Sequence, residues 1–293
     1  MHERGSDRPV LVGASNPSVV QQLVRTAGDL ARLGSGRVRI VTVAVKPPDS
    51  PFGVFTDETI VREFATESHE LLAEVQAPPE ITVERDVIAA RTAAKGLLEA
   101  VESVDPVALV IGWQGPTSRS DAVLGTTVDT LVERARCDLY VERVGREADG
   151  VDSILLPVAG GPHVGAAATI AAAIAVRNDA RVTVFTVADQ AADGDQASRF
   201  VEEGKTAIEA TPGATPLVES GVVRATDVGD AIVDESSGHD IVVMGATRKG
   251  SLRRKIAGSV PRRIVERIDG TVVLARDSDT VDHAHGLRSS LRR

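Results

Sequence analysis

The sequence predicts an α/β protein made of two tandem, Rossmann-like doubly wound domains, and three observations predict it. Short β-branched runs alternate with segments of helical spacing along the chain. Residues 107–143 (VALVIGWQGPTSRSDAVLGTTVDTLVERARCDLYVER) align without a gap on residues 240–276 (DIVVMGATRKGSLRRKIAGSVPRRIVERIDGTVVLAR). In that register Gly112 lies over Gly245, Gly125 over Gly258, Thr126 over Ser259, and Val-Glu-Arg 132–134 over 265–267. Finally, the strands are continuously apolar rather than alternating, as in a parallel sheet covered on both faces. Each domain is therefore expected to hold a five-stranded parallel sheet of order 3-2-1-4-5, with helices on both faces.

The elements follow in order. PVLVGAS (9–15) reads as a strand ending in small residues. Val20, Leu23, Val24, Ala27, Leu30 and Ala31 recur at helical spacing over 17–33, and Gly34 supplies a stop. RVRIVTVAV (37–45) is a strand, followed by a proline-rich loop and one helix over about 57–76. A strand at 81–87, a helix at 92–103, a strand at 107–112, a helix from about 125 to 135 and a strand at 138–144 complete the first unit.

The second half repeats the plan. Strands are expected near 153–158, 181–187, 216–223, 240–244 and 271–275, with helices near 163–177, 195–210, 226–237 and 258–268. The offset between halves is 144 residues over the first two strands and 133 over the last two. The length difference thus falls between the second and fourth strands. The expected domains are 1–145 and 152–276, with 277–293 a flexible tail.

Composition narrows the classes. A chain of 293 residues, 42% hydrophobic and 26% charged, has the make-up of an ordinary soluble protein. With aromatics at 2%, the cores must be built from Val, Ile, Leu and Ala. A net charge of −9 argues against duplex nucleic acid as a partner. Only five of the 33 basic side chains are lysines. Such an acidic, lysine-poor chain fits a high-salt, haloarchaeal-like cytoplasm, and arginine-biased coding gives the same counts. One cysteine, Cys137, excludes an internal disulfide and any cysteine-clustered metal site. The alanine-rich stretch 164–176 is too short to span a bilayer. Neither a signal peptide nor a metal-ligand histidine pattern is visible, so the expectation is a cytoplasmic protein without membrane contact.

In doubly wound sheets, ligands sit beyond the carboxyl ends of the strands where the strand order reverses. Here the loop Gly13-Ala14-Ser15-Asn16 and the loop from Gly112 converge in the first half. Pro157 to Gly161 and the loop from Gly245 converge in the second. Gly112 admits a ligand to the strand end, Gly115 can turn successive N–H groups toward one point, and Gly125-Thr126 opens a helix whose free N–H groups favour an anion. Tight turns, close packing and ordinary helix capping are the structural uses of the same residues.

The spacing Gly112-x2-Gly115-x9-Gly125-Thr126, in this fold order and in two copies, resembles the universal stress protein family. The resemblance covers both halves. It implies a stress-response or regulatory protein that binds ATP or a related adenine nucleotide, with Mg²⁺ shielding the phosphates, and no catalytic role beyond slow hydrolysis. It places phosphates at Gly112, Gly115, Gly125 and Thr126, the ribose near Ser15, and adenine near the backbone of Val43. The matching second-half positions are Gly245, Arg248, Gly258, Ser259 and Val187. The chain departs from the family where an aspartate closes strand 1: Ser15 and Ala159 stand there, and Arg248 replaces the motif's second glycine. The first half is therefore the better preserved site.

The resemblance also implies pairing through the last strands, 139–144 and 272–276, within one chain or in a homo-oligomer. Two rivals stand beside this reading. One is a nucleotide-free interaction module acting on a protein partner. The other is an adenylating or sulfur-transferring enzyme, for which no nucleophile is evident near Ser15 or Gly112. The basic stretch 248–267 reads as a solvated helix face or a patch for polyphosphate, an acidic partner or RNA.

Overall fold

The computed structural model describes residues 8–46, 56–113, 125–145, 150–188, 194–246 and 264–281. The chain divides into two compact units, one comprising Met1–Gly112, Gly125–Leu139 and Val281–Arg293, the other Trp113–Leu124 and Tyr140–Thr280.

The first repeat runs β1 (Val10–Ala14), α1 (Pro17–Ala31), β2 (Arg37–Val45), α2 (Asp57–Phe64), α3 (Thr66–Glu74), β3 (Thr82–Ala90), α4 (Ala93–Val104), β4 (Ala108–Gly112), α5 (Thr126–Arg134) and β5 (Asp138–Arg143). Its strand order is β3-β2-β1-β4-β5. The pairs β1–β2, β1–β4 and β2–β3 are parallel, with Gly13 level with both Val41 and Ile111. Val10, Leu11, Val12, Ile40, Leu109 and Val110 are almost wholly buried, as a sheet covered on both faces requires. Helices lie on opposite faces. A β-carbon built on Gly13 would meet Leu97 of α4, whereas one on Gly112, the next row along, would meet Val19 and Leu23 of α1.

The single helix expected over 57–76 is two. It breaks at Ala65, whose backbone (φ −105°, ψ 30°) closes α2 and starts α3. The ring of His69 and the carbonyl of Val61 lie 3.1 Å apart, so a side chain satisfies a carbonyl near the break.

The second repeat runs β6 (Ser153–Pro157), α6 (Val164–Asn178), β7 (Arg181–Ala188), α7 (Gly194–Glu209), β8 (Leu217–Arg224), α8 (Val228–Ser236), β9 (Ile241–Gly245) and β10 (Thr271–Arg276). Its order, β8-β7-β6-β9-β10, repeats the first, and its recorded pairs are likewise parallel. A helical turn at 264–267 lies within the expected final helix, the rest of which falls outside the described residues. The alanine-rich α6 is buried almost all round, with ten core residues between Val164 and Ala175. Alanine allows this helix to pack closely without large side chains. Among the described residues no helix is long and apolar enough to cross a membrane.

The end of the first repeat's last strand makes its polar contacts inside the second compact unit. The Tyr140 hydroxyl donates to the Ala166 carbonyl at 3.2 Å, and the Arg143 guanidinium donates to the carbonyls of Ile268 and Gly270. Burial lowers the Arg143 pKa, with the nearby Asp269 carboxylate opposing. The single cysteine, Cys137, is buried just before β5.

Candidate functional site

The strand order reverses between β1 and β4, so the carboxyl ends of β1, β2 and β4 frame the first repeat's candidate site. Ser15 follows β1 and is exposed. Asn16 caps α1: its side-chain oxygen accepts from the Ser18 N–H at 2.9 Å and the Ser18 hydroxyl at 2.8 Å. Pro17 opens the helix, where its missing N–H costs nothing. Val43 is half-buried on β2, and its methyl groups abut Gly96 of α4 so closely that a β-carbon there would stand 2.8 Å away.

Two of the predicted glycines have different physical reasons. Gly112 ends β4 at a crowded position, where a β-carbon would lie 3.2 Å from Leu23 Cδ1 and 3.4 Å from Val19 Cγ2. Close approach of α1 accounts for it. Gly125 is the residue before α5, with φ 92° and ψ 149°, and no described residue lies within 4 Å of where a β-carbon would stand. Space does not demand glycine there, but backbone conformation does, because that region is essentially closed to other residues. No side chain caps this helix start. Thr126, its first residue, is exposed, and the Thr130 hydroxyl donates back to the Thr126 carbonyl at 2.6 Å. The α5 N-terminus thus offers N–H groups without an intrahelical partner and the positive end of its dipole.

The second repeat is built differently at the same place. The two-residue turn after β1 becomes six residues after β6, 158–163, because α6 starts 147 residues after α1 while β6 ends 143 residues after β1. Gly160 (φ 70°) and Gly161 (φ 104°) take the left-handed conformations of this turn. A β-carbon on Gly160 would stand 2.7 Å from the Phe200 ring of α7. Ala159 is exposed and, unlike Ser15, has no hydrogen-bonding side chain. His163 precedes α6 and is 5% exposed. Its Nδ1 accepts the Asp277 N–H at 3.2 Å, and its Cβ lies where Gly245 leaves room, 2.9 Å from a β-carbon built there. Val187 is half-buried on β7. Gly115, Arg248, Gly258 and Ser259 lie outside the described residues, as does most of the basic stretch 248–267.

Sequence reasoning did not single out Thr42. Its hydroxyl is buried with no hydrogen-bond partner, although it occupies the same place as Thr186 in the second repeat. The Thr186 hydroxyl donates to the Val158 carbonyl at 2.8 Å. No group of three or more metal-ligating side chains exists among the described residues.

The model of the universal stress protein family matches residues 8–143 and again 150–276. The chain belongs to the universal stress protein family. It is a tandem member, each match covering one repeat. A universal stress protein from Archaeoglobus fulgidus DSM 4304 shares the fold at a TM-score of 0.63 and 16% identity, over 94% of this chain and 98% of that one. The cytoplasmic domain of a prokaryotic cation chloride cotransporter is similar at a TM-score of 0.59 and 14% identity, over 93% and 96%. A functionally unknown protein from Pseudomonas aeruginosa PAO1 follows at 0.57 and 13%, over 97% and 98%. At these identities the likeness speaks for the fold alone. No curated protein matches the chain.

Proposed function

We propose that this universal stress protein is a cytoplasmic stress-response or regulatory protein that binds ATP or a related adenine nucleotide in its first repeat. The observation that carries the reading is Gly125. A glycine held at φ 92° with open space beside it, at an uncapped helix start, is what an approaching phosphate requires. In this reading Gly112, Gly115, Gly125 and Thr126 hold phosphates, Ser15 meets the ribose and the Val43 backbone lies beside the base. Mg²⁺ shields the triphosphate charge. The site's work is binding; its residues offer no nucleophile paired with a base.

The second repeat supports a narrower role. Val187, Gly245, Gly258 and Ser259 keep its motif positions, but Arg248 replaces the second glycine, Ala159 removes the side-chain contact and His163 stands against Gly245. That favours one nucleotide per chain, with the second repeat serving domain pairing, a second copy or a protein partner. If neither repeat binds nucleotide, the protein is an interaction module on the same fold.

Calorimetric titration with ATP and Mg²⁺ at moderate and high salt tests this, after bound nucleotide has been removed. One equivalent per chain, lost in Gly125→Val and kept in Gly258→Val, is the expected outcome. Two equivalents would give the second repeat a working site. No binding under either condition would refute the nucleotide reading.

A further inference from the structure

The strands of the two repeats end in equivalent rows of residues, and the rows differ in one hydrogen bond. In the first repeat Thr42 is level with Ala14, and Ala14, one step beyond the Gly13–Ile111 pair, is level with Gly112. In the second repeat the register carries the row through Thr186, Val158 and Gly245. Side chains level across parallel strands point to one face, so each threonine shares a face with the glycine across the point where strand order reverses.

In the second row the threonine is satisfied and the row is filled. Thr186 donates to Val158, Val158 supplies a full side chain, and His163 packs on Gly245. In the first row Ala14 replaces valine, Val19 and Leu23 of α1 rather than a histidine pack on the strand-end glycine, and the Thr42 hydroxyl has no partner. Thr42 is 6% exposed, so bulk water does not satisfy it either. A buried hydroxyl without a bond is destabilising, and valine at this position would avoid that cost without changing shape.

We infer that Thr42 is a ligand-recognising residue of the first repeat, its hydroxyl reserved for a hydrogen bond to the nucleoside part of the bound nucleotide. This rests on the proposed nucleotide site and adds to it. The row runs from Thr42 past Ala14 to Gly112, so the hydroxyl lies at the carboxyl edge of the strands that frame the site, one residue before Val43. Thr186, already committed to its own backbone, cannot do the same in the second repeat without breaking that bond.

Thr42→Val, Thr42→Ser and Thr186→Val are compared with the unaltered full chain, by titration with ATP and Mg²⁺ and by urea unfolding without nucleotide. Thr42→Val should weaken ATP binding roughly 2- to 10-fold while leaving unliganded stability equal or higher, and Thr42→Ser should retain most of the affinity. Thr186→Val should do the opposite, lowering stability with affinity unchanged. Unaltered affinity in Thr42→Val beside normal binding by the parent would overturn the assignment of Thr42 and leave the nucleotide site standing. No binding by the parent would overturn both. Should Thr42→Val fail to fold, Thr42→Ala read against Thr42→Ser decides, because only the serine retains the hydroxyl.

Discussion

Gly245 and His163 meet at the carboxyl ends of the second repeat's strands, where a β-carbon on the glycine would stand 2.9 Å from the histidine's own and 3.5 Å from its carbonyl carbon. The contact is with main chain and Cβ, which cannot rotate away. Gly245→Ala should therefore destabilise the second unit by about 1–3 kcal/mol. Urea unfolding measures it. In a His163→Gly background the same substitution should cost less, and equal costs in both backgrounds would place the strain elsewhere.

Gly125 should fail for a different reason. Its surroundings are open, so the cost of replacing it lies in backbone conformation alone. Alanine and asparagine should each cost about 1–3 kcal/mol, because φ 92° with ψ 149° lies outside even the left-handed region that asparagine tolerates. An asparagine variant as stable as the parent would disprove this account.

Asn16 holds the start of α1 through two hydrogen bonds to Ser18. Asn16→Ala should lower stability by about 1 kcal/mol, and Asn16→Asp should largely preserve it. Thermal unfolding of the two variants side by side reads the difference.

His239 makes stability depend on acid. Burial lowers its pKa from 6.5; Glu235 opposes, Arg181 adds to the lowering, and Asp240 and Glu219 oppose. A base whose folded pKa is depressed favours the neutral fold. Its contribution is present above the unfolded value of 6.5 and is lost as pH falls through 6.5 toward the folded value. Unfolding midpoints for the parent should drop between about pH 8 and pH 5.5 more steeply than for His239→Gln. Parallel pH curves would rule it out.

Asp129 has the opposite sign. Burial foremost, and then Glu133 one turn on, raise its pKa above 3.8. The ionised carboxyl is thus disfavoured in the fold, and stability falls as pH rises from 3.8 through the folded value. Asp129→Asn should be more stable than the parent at neutral pH, with the advantage fading on acidification. A constant difference across that range would assign the gain to another cause.

The alternation of elements was legible because strands such as Arg37–Val45 are rich in β-branched residues and helices such as α1 keep their apolar spacing. The break at Ala65 was not, because the helical pattern runs on through Thr66 and Glu67 and only the His69 ring in the fold marks it. The two glycines Gly112 and Gly125 look alike in sequence, yet one answers to a neighbouring helix and the other to its own dihedral angles. Thr42 and Thr186 are the same residue in the same register, and only their hydrogen bonds distinguish them. The longer turn after β6 had a signal, Gly160-Gly161-Pro162, but a strand-based alignment placed Ala159 under Ser15 and hid the extra length.

That turn also sets how the two halves can diverge. Because the six residues after β6 differ from the two after β1 in number, no single base change converts one half's strand end into the other's. Reversion requires a deletion together with a new helix cap. Once that length difference arose, the asymmetry between the repeats became a ratchet, and descendants of this chain inherit two halves that are no longer interchangeable.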